Sequence, residues 1–286
     1  MNFCISTDSG ADLPVSYCQT HDITVLPLGF TIEGKTYHGS EAMDSKVFYD
    51  KLRAGALPTT SAANPEDTAD LFRSFMERGM DLLHIAFSSG LSSTCDAARI
   101  AAQMVMEEYP QRKILVVDSL CASMGQGLLV HQGVKLRDAG EELETAAQKL
   151  TDMRLNVVHN FTVDDLNHLH RGGRVSKATA VVGSLMGIKP ILHVDDEGHL
   201  TSVGKARGRK ASITALADRM AEQIKGFDNP EVFISHGDCL EDAKTLEKLV
   251  KDRFGIETTL LDYIGPVIGT HSGPGTLALY FFGSPR

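Results

Sequence analysis

The chain has 286 residues, enough for one large or two ordinary domains, and 42% of them are apolar, enough for a sizeable core. A net charge of -9 argues against a general binder of nucleic acid or of anionic membranes. The five cysteines, at 4, 18, 95, 121 and 239, form no Cys-x-x-Cys pair, which fits reduced thiols in a cytoplasm better than a disulfide frame or a zinc site.

Phe3 to Ser6 reads as a first strand, followed by a polar turn at Asp8-Ser9-Gly10 and a short helix over 12–20 with Pro14 in its first turn. Met1 to Asp8 has no basic, signal-like start, and no segment is long and apolar enough to span a membrane. Residues 23–38 read as a hairpin or small sheet turning at Glu33-Gly34. Asp44 opens a helix ending near Gly55, and Asn64-Pro65 caps another that ends before Gly79. Strand 82–87, a helix to about Tyr109, the apolar run Lys113 to Val117 and helices near 123–138 and 141–154 follow.

This alternation predicts an α/β fold with a mainly parallel sheet covered on both faces. Beyond about residue 158 the texture changes. Strands are expected near 156–163, 189–194, 231–235, 257–262 and 277–282, with helices near 164–170, 176–187, 210–225 and 239–253. The expected organisation is therefore a three-layer α/β/α domain over 1–158, with a small β insertion near 23–38, and a smaller α/β domain over 159–286.

The stretch Leu82 to Phe87 running into Ser88-Ser89-Gly90-Leu91-Ser92-Ser93-Thr94 carries the strongest chemical signal. A strand ends in a loop of small hydroxyl residues and a helix starts at once, which aims free backbone N–H groups and a helix dipole at whatever sits above. Such a place suits a phosphate or carboxylate. The segment Pro58 to Asn64, with Thr60 and Ser61, precedes another helix in the same way. In an open α/β sheet both should meet at the edge where ligands bind. Taken singly, Ser92 reads first as a helix cap and Thr60 as a turn residue; it is the two loops together that point to a ligand. His271 lies in the Gly- and Pro-rich run 265–275, a stiff loop, where it is either a donor or base facing a ligand or a histidine bonded to backbone. Arg171-Gly172-Gly173-Arg174 with Lys177, and Lys205 to Lys210 with Arg207, are basic turns in an acidic chain, suited to an anion or an acidic partner.

Common catalytic fingerprints are missing. Gly90-Leu91-Ser92-Ser93-Thr94 has Thr94 where a nucleophile elbow needs glycine, and Gly125-Gln126-Gly127 has Val130 where a dinucleotide loop needs one. A serine hydrolase using Ser92 and His271 stays open as the rival reading.

In order along the chain, Thr7-Asp8-Ser9-Gly10-Ala11-Asp12-Leu13-Pro14, Thr60-Ser61, Ser89 to Thr94, Val117-Asp118-Ser119, Ser123 to Leu129, Arg171 to Ser176 and His271 to Gly275 resemble the DegV family, bacterial fatty-acid-binding proteins that serve a fatty acid kinase. Departures lie at Ala62, Ala63, Ser93 and Cys95. The resemblance implies two α/β domains with a long-chain fatty acid in a tunnel between them. It implies a carboxylate held by Thr60 and Ser92 with His271 nearby, and Ser61, Ser93 and Arg207 as further candidates. It also implies a kinase contact at Arg171, Arg174 and Lys177. The implied role is that of a cytoplasmic, non-enzymatic carrier with no cofactor, approaching membranes only transiently. The kinase would phosphorylate the presented carboxylate, and the acyl phosphate would pass to phospholipid synthesis.

Overall fold

The computed structural model describes residues 3–38, 43–175 and 187–286. Four strands, β1 (Cys4–Asp8), β2 (Ile23–Leu26), β6 (Leu82–Ala86) and β7 (Ile114–Asp118), form an all-parallel sheet in the order β2-β1-β6-β7. β6 is buried along its whole length, as expected for an apolar run covered on both faces. On one face Leu82 and Ile114 pack with Phe72 and Phe75 of α3 (Pro65–Met76) and Ala98, Ala101 and Val105 of α4 (Thr94–Glu108). On the other face Ile5 and Ile85 pack with Leu128 and Leu129 of α5 (Met124–Asp138) and Leu150 of α6 (Leu143–Met153).

The region 23–38 divides differently from the sequence expectation. β2 joins the parallel sheet, pairing Ile5 with Ile23, and the helix before it is only α1 (Val15–Thr20). The hairpin is β3 (Gly29–Ile32) with β4 (Lys35–His38), turning at Glu33-Gly34, both with positive φ, the I′ signature. β5 (Thr59–Ser61) adds a third antiparallel strand, where the sequence suggested a loop. This small sheet packs against α2 (Ser45–Arg53) through Phe30, Phe48 and Tyr49.

A second, six-stranded sheet has the order β10-β9-β8-β13-β11-β12, from β8 (Val157–Thr162), β9 (Ile188–Val194), β10 (Leu200–Arg207), β11 (Glu231–His236), β12 (Thr258–Tyr263) and β13 (Leu277–Phe282). Only β11 and β12 are parallel. Strand alternation divides its faces. Leu277, Leu279 and Phe281 pack outward against α8 (Arg209–Gln223) and α9 (Leu240–Phe254), whereas Ala278 and Tyr280 share a core with α5. His159 and Phe161 pair with Tyr280 and Ala278 in register, so these four occupy the face turned toward the parallel sheet. Strand β10 was not expected from sequence: it is an exposed edge strand, so its basic stretch lacks the apolar signature of a buried one. The described residues also include two short helices, α7 (Asn167–Arg171) and α10 (Pro266–Ser272). The first makes Arg171 a helix end and not part of a free turn; the second replaces the expected stiff loop. The expected helix near 176–187 and Lys177 lie outside the described residues.

Candidate functional site

The loop after β6 is fixed from both neighbouring strands. Asp8, ending β1, accepts from the Phe87 N–H at 2.7 Å, and Asp118, ending β7, accepts from the Ser89 N–H at 3.2 Å. The loop also bears on the second half, because the Ser88 hydroxyl donates to the Gly198 carbonyl at 2.9 Å in the β9–β10 connection. Beyond it, Ser92 Oγ accepts from the Thr94 N–H at 3.2 Å and pairs with Thr94 Oγ1 at 2.9 Å. Thr94 Oγ1 in turn accepts from the Ala63 N–H at 3.2 Å. One hydroxyl thus ties the 58–64 segment to the 88–94 loop, and the two meet at the sheet edge as expected. Ser92 does cap locally, while the N-cap position of α4 belongs to Ser93, whose side chain makes no capping bond.

These residues open onto a cavity between the two sheets, with about 1000 Å³ of atom-free space including the solvent at its open side. Thr60, Ser61, Ser92, Ser93 and His271 all line it. Much of its lining is apolar, with Phe87, Leu91, Phe161, Val194 and Ala278 among the walls. No Asp, Glu or Lys lines it among the described residues.

His271 comes from the last turn of α10, and its Nε2 lies 2.8 Å from Thr60 Oγ1. Burial, and then the neighbouring Arg174 guanidinium, push its pKa down to about 4, so the ring is neutral near pH 7. Its Nδ1 is buried and has no hydrogen-bond partner among the described residues. Gly172 sits against that atom: a Cβ there would lie 2.2 Å from Nδ1. The Ser92–His271 pair of a hydrolase is not formed, because Ser92 is bonded to Thr94 and Nδ1 has no orienting carboxylate.

Arg174, which the resemblance implies as a kinase contact, is turned toward the cavity. It is half-buried, lines the cavity, donates to the Gly172 carbonyl, and donates to the Leu91 carbonyl at 3.1 Å. Burial lowers its pKa. Among the described residues it has no acidic partner, so it stands as the cavity's own cation. Arg171 is exposed, with its guanidinium 3.0 Å from His168 Nδ1. Arg207 is exposed on edge strand β10 and is not brought to the cavity.

Sequence reasoning did not find Gly172, nor the inward role of Arg174. A charge beside two glycines reads as a solvated turn, and only the chain path turns it inward. No group of three or more His, Cys, Asp or Glu side chains placed to hold a metal occurs among the described residues, and no helix among them is long and apolar enough to cross a membrane.

Residues 2–284 match the family described as "Uncharacterised protein, DegV family COG1307". The DegV domain-containing protein YteA of Lactococcus lactis is 41% identical over 282 residues, 98% of this chain and 97% of its own. The DegV domain-containing protein CPE0026 of Clostridium perfringens is 39% identical over 286 residues, 99% and 98%. Among solved structures, a fatty-acid-binding DegV family protein from Thermus thermophilus superposes with a TM-score of 0.89 at 31% identity, over 99% of this chain and 100% of that one. A stearic acid-binding protein from Eubacterium ventriosum gives a TM-score of 0.87 at 26% identity, over 99% of both chains. The fold, the family match and these relatives agree: this chain belongs to the DegV family.

Proposed function

We propose that this protein binds a long-chain fatty acid in the cavity between its sheets and presents the carboxylate at the mouth to a fatty acid kinase. The observation that carries the reading is the cavity's lining: much of it apolar, with the Thr60, Ser61, Ser92 and Ser93 hydroxyls, a neutral histidine and Arg174 brought to the same space, and no acid among the described lining residues. A carboxylate taken from water needs charge-assisted hydrogen bonds, which Thr60, Ser92, His271 and Arg174 can supply. Solved relatives described as fatty-acid-binding support the ligand class.

Burying roughly 14 methylenes at about 0.8 kcal/mol each contributes on the order of 11 kcal/mol before association costs. This permits retention of a lipid without a covalent bond. In the kinase step the carrier's residues hold and orient the carboxylate, and the partner brings ATP. Arg171, exposed near Thr60, Arg174 and His271, is the described residue proposed to meet that partner; Lys177 remains a second proposed contact. Calorimetric titration of delipidated protein with palmitate tests the ligand. Saturable binding with one site per chain is expected, and absence of binding by folded protein contradicts the reading.

A further inference from the structure

Asp12 lies outside the cavity lining, yet it joins two segments that build the cavity. It follows the turn after β1, takes a left-handed backbone with φ of 51°, and is 8% exposed. Its Oδ1 accepts from the Gly265 N–H at 3.0 Å, the residue capping the helix that carries His271. Gly265 must lack a side chain, since a Cβ there would lie 2.7 Å from that oxygen. Its Oδ2 lies 2.6 Å from Ser123 Oγ, in the cavity wall at the start of α5. From Ser123 a line of hydroxyls continues, to Ser235 at 3.0 Å and on to Tyr280 at 2.9 Å, the last again a lining residue.

No cation contacts Asp12 among the described residues. The charged groups acting on it are carboxylates, Asp8 on β1 and Asp262 on β12, and the phenols of Tyr49 on α2 and Tyr280 on β13 also face it. A hydroxyl chain can accept a proton from Asp12 as readily as it can donate one, each oxygen passing its own hydrogen to the next. We propose that Asp12 is a positioning residue of the lipid site that works as the un-ionised acid, accepting from Gly265 and donating to Ser123, so that the start of the His271 helix and the cavity wall are set together. The proposal rests on the fatty-acid reading of the cavity. Burial pushes the Asp12 carboxyl up to about 8, in keeping with this form at neutral pH. Asp8 is raised only to about 6, and both tyrosines are held above the ordinary phenol range, so none of these three titrates near pH 8.

The test is Asp12→Asn, whose amide reproduces the acceptor toward Gly265 and the donor toward Ser123, beside Asp12→Ala, which reproduces neither. Palmitate affinity of delipidated wild type should fall about tenfold from pH 7 to pH 9, as the competent fraction drops to about a tenth. Asp12→Asn should bind within about threefold of wild type at pH 7 and lose this dependence, which also controls for titration of the lipid; Asp12→Ala should bind weakly at both pH values. A wild-type profile in Asp12→Asn overturns the proposal, and so does weak binding by Asp12→Asn at pH 7. A ligand-free measurement separates failure of the lipid reading from failure of this one. With Asp12 protonated in the folded state only, the folding constant of wild type relative to Asp12→Asn should fall about tenfold per pH unit between pH 5 and pH 7. A ratio independent of pH there overturns the proposal whether or not palmitate binds.

Discussion

Thr60 Oγ1 lies 2.8 Å from His271 Nε2, although 211 residues separate them in the chain. The contact joins edge strand β5 to helix α10 in the cavity wall. It places a hydroxyl and a neutral imidazole side by side, with Ser92 and Arg174 lining the same space.

Thr60→Val and Ser92→Ala each remove one hydrogen bond to the proposed carboxylate. Each should weaken palmitate binding by about 1.5–3 kcal/mol while leaving affinity for the methyl ester, which carries no charge, nearly unchanged. Calorimetry with acid and ester on the same samples measures both. Equal losses for acid and ester would place the two hydroxyls in general packing and not at the head group.

Gly172→Ala drives a methyl group into His271 Nδ1, since the added carbon would lie 2.2 Å away. Moving either the ring or the turn costs about 1–3 kcal/mol. Lipid affinity should drop accordingly, and the His271 ring resonances should shift in a proton–nitrogen NMR spectrum. Unchanged resonances and affinity would show that the turn yields freely.

Arg171 and Arg174 should behave differently. Arg171→Ala is expected to leave lipid binding intact and to reduce kinase-dependent acyl-phosphate formation, because the side chain is exposed and lies outside the cavity lining, near Thr60, Arg174 and His271. Arg174→Ala should impair both, because its guanidinium lines the cavity and holds the Leu91 carbonyl. Binding and phosphorylation assayed on the same loaded samples decide this. Identical behaviour of the two variants contradicts the assignment of separate roles.

His84, in the middle of β6, is wholly buried, has Nδ1 2.9 Å from Ser6 Oγ, and is pushed down to about 3 by burial. Its unfolded value is about 6.5, so the unfolded chain binds a proton that the folded chain refuses between those limits. The histidine's contribution is therefore intact above pH 6.5 and is lost as pH falls toward 3. In urea unfolding, stability of wild type relative to His84→Asn should decline by about 1–2 kcal/mol between pH 6.5 and pH 5. A constant difference would mean that His84 is charged in the fold.

What was legible in the sequence follows from the range over which each feature is determined. β6, its hydroxyl loop and α4 are written locally, as an apolar run, small polar residues and a helical spacing of Ala97, Ala98, Ala101 and Val105. The helix carrying His271 was also locally marked: Gly265-Pro266 is a cap followed by proline at the first helical position, a signal obscured by the glycines after it. β10 lacks a buried face and so lacks a pattern. Arg174 and Asp12 take their roles from partners far along the chain, Leu91 and Gly265, and no local spacing encodes such a meeting.

The central claim is that the cavity holds a fatty acid, and mass spectrometry of lipid extracted from purified protein given no added lipid tests it most directly. The account predicts release of a fatty acid of about palmitate size, as burial of some 14 methylenes implies. It is contradicted if denatured protein releases none and the delipidated, refolded protein takes up none on titration.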